Sequence, residues 1–166
     1  MTAAEELALL LRPAGGGVPL VSAGREAQAA AQRRLYGAGS DAEVERIFRE
    51  RLDRIGTARA VLVGVPSDVG AGVLRGANQG PLALRERLLA DDPAWLESAG
   101  RRGLLDIGDV VVIPQLLHDE MLSPAQLAAS RRALYPGLHA DAAAGLPVSP
   151  LSIAERVLDL VLAVQP

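Results

Sequence analysis

A chain of 166 residues with 49% hydrophobic content has the length and apolar material for a packed domain, which excludes a disordered chain. All 17 basic residues are arginine, so no lysine serves a Schiff base or a phosphate loop, and a formal charge of −3 with 2% aromatic content does not suit a nucleic-acid surface. The absence of cysteine excludes disulfides and thiolate sites, while the lack of a long apolar run or a basic-led signal predicts no membrane span and a cytoplasmic protein.

Thr2-Ala-Ala-Glu5 reads as a capping box that opens a short helix ending before Pro13 and Gly15-Gly16-Gly17. Val18 to Val21 reads as a short strand, and the Ala-, Gln- and Arg-rich residues 25–36 as a helix. Ser40 and Glu43 form a second capping box, after which Val44, Ile47, Phe48, Leu52 and Ile55 recur at helical spacing. Glu45–Arg49 and Glu50–Arg54 are favourable i,i+4 pairs for its wet side, and Gly56 supplies the stop.

Ala60 to Val65 is a β-branched run bounded by Pro66, predicted as a strand buried on both faces as in a parallel sheet. A Gly-rich loop covers residues 67–80, and Pro81 fits the first turn of a helix to about Ala90. Asp92-Pro93 opens a short helix through Trp95 and Leu96. Leu104-Leu105 and Val110 to Ile113 are strand material on either side of Asp106-Ile-Gly-Asp109. Ser123-Pro124 starts another helix, and residues 135–149 form a long connection. In residues 151–164 the polar side chains are Ser152, Glu155, Arg156 and Asp159, one narrow stripe, so this helix expects neighbours over most of its circumference. Strand–helix alternation implies an α/β fold with a doubly wound sheet.

Val61 to Arg85 places a Gly-rich turn between strand and helix, the usual ligand position in an α/β fold. Gly70, Gly72 and Gly76 are spaced one residue too long for the dinucleotide fingerprint, and no P-loop occurs. Plain packing and strained φ are the expectation for Gly76 and Gly80. His118, Asp119 and Glu120 are adjacent and diverge from any regular backbone, while His139 and Asp141 sit beside Pro136 and Gly137 in an expected loop. Asp106 and Asp109 read as turn or strand-end residues rather than an acid–base pair. Ser67 lacks the G-x-S-x-G elbow and a matched base. Arg75 and Arg85 are the exposed candidates, with structural hydrogen bonding preferred for both. No catalytic, cofactor-binding or metal-ligating residue is assigned.

Gly64, Pro66, Gly76, Gly80, Pro81, Leu84 and Arg85 match a G-x-P strand end followed by G-x-x-x-G-P-x-x-[IL]-R, and Asp106, Gly108, Asp109 and Val110 match D-x-G-D-V. In this order the two motifs resemble the N-terminal portion of the ureohydrolase family: arginases, agmatinases and formimidoylglutamases. The resemblance covers roughly residues 60–113. It implies a three-layer α/β/α fold with a mostly parallel, arginase-like sheet, incomplete here. Residues 1–56 become an N-terminal helical extension and residues 57–166 the N-terminal part of the α/β domain. The implied parent is a homo-oligomeric enzyme that hydrolyses a small guanidino or formimino substrate of the arginine or agmatine type. Its two manganese ions share a hydroxide of lowered pKa. The family's ligand motifs, G-G-D-H, D-A-H-x-D and D-x-D-x-x-D, do not occur in this sequence, so no metal ligand carries over. The chain alone is expected to hold no manganese and to be inactive. The rivals are a non-catalytic interaction module or metal-free relative of the family, and a small nucleotide-binding domain using residues 67–80.

Overall fold

The computed structural model describes residues 1–18 and 23–164. At its start the Thr2 hydroxyl accepts from the Glu5 amide while the Glu5 carboxylate accepts from the Thr2 amide, a complete capping box for α1 (Ala3–Leu10). The chain then extends as β1 (Leu11–Arg12), which pairs antiparallel with β3 (Leu104–Val110). Two residues carry no readable period, so nothing in the sequence announces β1. The strand expected over residues 18–21 lies, past Val18, outside the described residues.

The next two helices, α2 (Ala23–Tyr36) and α3 (Asp41–Asp53), stand where the pattern predicts them. Ser40 caps α3 by accepting from the Glu43 amide, but the Glu43 carboxylate reaches one residue further back, to the Gly39 amide at 2.8 Å, so the box is only half formed. Val44, Phe48 and Leu52 are buried as their spacing requires. On the wet side Glu45 and Arg49 pair, whereas Glu50 pairs with Arg46 at 2.6 Å rather than with Arg54. Arg54 is the C-cap, past the last helical residue, and falls off the i,i+4 row.

Three strands make one sheet in the order β1-β3-β2, with β2 (Ala60–Gly64) parallel to β3. The fold is therefore α/β with a mixed sheet, one parallel and one antiparallel pairing, where alternation alone led to a mostly parallel one. The difference arises because α1 hands the chain directly to the far edge of β3 as β1. Central β3 is buried along nearly its whole length and contains Asp106 to Asp109 inside a single strand, rather than between two. Beyond it, the Val111 and Val112 amides donate to the carbonyls of Leu10 and Gly17 at 3.0 and 2.8 Å. β2 is an edge strand with Ala60 and Val63 exposed, which corrects the expectation of burial on both faces.

The crossover from β2 to β3 runs through α4 (Gly80–Asp91) and α5 (Trp95–Arg101). After β3, Ser123 and Gln126 form a capping box for α6 (Pro124–Leu134), a single turn α7 (Ala140–Ala143) interrupts the long connection, and α8 (Pro150–Val164) follows. One hydrophobic cluster joins Leu7, Leu10 and Phe48 to Ile107 and Val110 and to Ile153 and Val157, so residues before and after position 57 share a core. α8 packs on α1, on β3 and on the short turn at Ile55–Thr57. Leu151, Leu158 and Leu162, on its second apolar face, remain 42%, 56% and 61% exposed, against the expected cover around most of the helix. Among the described residues no helix is long and apolar enough to cross a membrane.

Candidate functional site

The densest polar arrangement sits where α4 crosses β3. Arg85, expected at the surface, is only 1% exposed and is the largest fully buried side chain. Its Nε and Nη2 donate to the two carboxylate oxygens of Asp106 at 2.8 and 2.9 Å, a bidentate fork. Nη1 donates to Asp109 Oδ1 at 2.6 Å, and Nη2 also reaches the Gly108 carbonyl at 2.9 Å. The Gly15 amide donates to Asp109 Oδ2 at 2.6 Å and the Gly108 amide to Asp106 Oδ1 at 3.0 Å. Burial opposes the charge of Arg85, but Asp106 and Asp109 overcome it and raise the guanidinium's pKa above its ordinary value. Two carboxylates share that one cation. Burial accordingly lifts Asp109 above the usual carboxylate range despite Arg85 and the Gly15 amide.

The node also explains a glycine. A Cβ on Gly64 would collide with the Asp109 carboxylate and lie 2.9 Å from Pro81 Cβ and 3.0 Å from Arg85 Nη1. Gly64, Pro81, Arg85, Asp106 and Asp109 therefore meet in one place, although they come from three separate elements. Chemically the node is closed: every guanidinium nitrogen has an acceptor, and both carboxylates are buried. It ties helix to strand.

The other singled-out residues are scattered. Arg75 is exposed and reaches Asp68 at 3.5 Å. The Ser67 hydroxyl accepts from the Val69 amide at 3.5 Å, within its own turn. His118 makes a contact its neighbours in sequence did not suggest, Nε2 to the Glu155 carboxylate of α8 at 3.3 Å, with Glu120 3.7 Å from Nδ1. Asp119 turns the other way and accepts from the Val148 and Ser149 amides at 3.2 and 2.8 Å, anchoring the approach to α8. His139 and Asp141 are exposed and face each other at 3.5 Å. Among the described residues no three His, Cys, Asp or Glu side chains are gathered for a metal. Gly76 has φ of 134°, as anticipated for a strained position, but Gly80 is ordinary helix with open space around its missing Cβ. That corrects the expectation for Gly80.

Two clefts remain. One of about 580 Å³ lies beside the carboxyl ends of β2 and β3, where Pro66, Asp109, Gln28, Gln79 and Leu82 line it and an Arg34–Glu86 ion pair borders it. The other, of about 400 Å³, lies between α3 and α5 at the start of β3. Above it the Arg51 guanidinium stacks on the Tyr36 ring, 4.4 Å from its centroid. Tyr36 accepts from the Ala14 amide at 3.0 Å, and burial pushes its phenol up to about 12.

Comparison with protein-family models, with curated proteins and with solved structures finds no match. The functional reading rests on the residues themselves. Sequence reasoning missed the second cleft because its walls are 40 or more positions apart in the chain, as Arg51 and Trp95 are. The one available signal was Trp95, the chain's single tryptophan, placed in a short helix.

Proposed function

We propose that this chain is the N-terminal part of a manganese-dependent, ureohydrolase-like enzyme hydrolysing a guanidino or formimino compound of the arginine or agmatine type. The observation that carries the reading is the node at Arg85. The two motif stretches that resemble the family are 21 positions apart at Arg85 and Asp106, and their matching residues close on one another. A bare Gly64, a helix-starting Pro81, an inward Arg85 and the D-x-G-D element form one interdependent unit, which a chance string has no reason to do. In this reading the mixed sheet is one portion of a three-layer α/β/α domain, and further parallel strands join along the outer edge of β2. The enzyme is cytoplasmic and homo-oligomeric.

The residues of this chain do not fit the two manganese ions. A hard divalent ion in a hydrolase needs several ligands converging from separate strand ends. His118 has Glu120 at Nδ1 and Glu155 at Nε2, on different edges of its ring, and His139 has only Asp141, so among the described residues no three ligands converge on one point. No step of the reaction is assigned to residues here.

The test is the reading frame past the Pro166 codon and the activity of its product. G-G-D-H and the two later acidic clusters in frame, with manganese-dependent urea or formamide release, are expected. A stop codon at that point, with no such motifs, overturns the enzyme and supports a second reading, a non-catalytic association module. The exposed row Leu151, Leu158 and Leu162 favours that second reading, because apolar side chains grouped on one helix face mark interaction surfaces.

A further inference from the structure

The cleft between α3 and α5 is lined by three carboxylates, Glu50, Glu97 and Asp106, and by the guanidinium groups of Arg51 and Arg54. Its acids are already engaged: Glu50 by Arg46 at 2.6 Å, Glu97 by Arg101 at 2.5 Å, and Asp106 by Arg85. Arg51 commits one nitrogen to the Asp106 carbonyl at 3.4 Å and its face to Tyr36, which leaves its remaining N–H groups open. Arg54 has no carboxylate within ion-pair reach among the described residues. Trp95, 7% exposed, also lines the cleft, and its indole N–H is buried without an acceptor. A buried indole N–H ordinarily finds a partner. Ile47, Leu96 and Leu105 supply apolar wall beside these groups.

We propose that this cleft binds a small organic carboxylate, its charge held by Arg51 and Arg54 and its apolar body laid against Trp95 and Leu96. Charge complementarity selects the class. Two guanidinium groups without carboxylate partners repel a cation, and a neutral ligand leaves them unneutralised. A bare inorganic anion makes no use of the indole and leucine wall. The cleft's volume of about 400 Å³ suits a small ligand rather than a protein segment. The site lies at the start of β3, by Leu104 and Leu105, away from the strand ends at Pro66 and Asp109, and it does not depend on the enzyme reading.

The chain has a single tryptophan, so its emission reports on this cleft alone. Hexanoate is titrated into the full chain, with hexanol and hexylammonium as comparisons of equal length. Hexanoate should change Trp95 emission saturably, hexanol should bind at least about tenfold more weakly, and hexylammonium should give no saturable change. Arg54→Gln removes an exposed side chain without an ion pair, so its fold, followed by circular dichroism, should hold while hexanoate affinity falls about tenfold. Arg51→Gln should weaken binding as well. A hexanoate titration without saturation, an equal response to hexanol, or an unchanged affinity in folded Arg54→Gln overturns the site.

Discussion

Arg85 is the residue on which the most buried polar groups depend. Removing it leaves two carboxylates, each nearly inaccessible, without their cation. Breaking a buried pair in this way costs about 3–5 kcal/mol, whereas an exposed pair contributes about 1 kcal/mol or less. Arg85→Met should therefore lower the urea midpoint far more than Arg87→Met on the same helix, where the lost partner is the exposed Asp91. Equal midpoints would show that the node is not a structural tie.

The two tyrosines make a second residue-scale prediction. Both are buried, and burial raises both phenols, Tyr36 to about 12. A raised folded pKa means that the fold prefers the neutral phenol. Its stabilising share is complete below the ordinary value of 10 and is lost as pH rises through about 12. Phenolate absorbance should stay flat through the ordinary tyrosine range and then rise together with the loss of helical dichroism. A tyrosine that ionises near its ordinary value while the helices persist would place one ring in solvent.

At the scale of elements, legibility follows the range of the forces involved. The boxes at Thr2–Glu5 and Ser123–Gln126 are written within four residues, so sequence alone locates both helix starts. The spacing of Val44, Phe48 and Leu52 likewise identifies the buried face of α3. β1 is too short to have a period, and the run from Val61 to Val65 reads the same in a central strand as at an edge. Arg85 looks like any helical arginine until Asp106 and Asp109 arrive from another element. The loop before α4 divides in the same way. Gly76 requires a φ that L residues rarely adopt, and Gly80 requires nothing. Gly76→Val should cost about 1–3 kcal/mol, Ala77→Ser little, and Gly80→Ala should be neutral or stabilising by up to about 1 kcal/mol. Thermal midpoints for the three variants decide it, and a Gly76→Val chain that melts with wild type would reject strain at that turn.

For the whole molecule, the sharpest prediction concerns manganese. The motif-bearing residues Gly64, Pro81, Arg85, Asp106 and Asp109 are consumed in a closed structural node, and node carboxylates held by a guanidinium are not free to coordinate. The two histidines belong to different elements, and the acids within ion-pair reach of each are exposed. Twenty carboxylates against 17 guanidinium groups, many already paired on helix faces, leave little excess negative field to concentrate a cation. Calorimetric titration of this chain with manganese at moderate salt should give weak heats that vanish as salt rises, because screening removes diffuse attraction but not coordination. No urea should be released from arginine or agmatine in the same solutions. Stoichiometric, micromolar binding that disappears in His118→Ala or His139→Ala would show that these 166 residues hold a metal centre of their own, and would separate the chain's chemistry from the ureohydrolase reading.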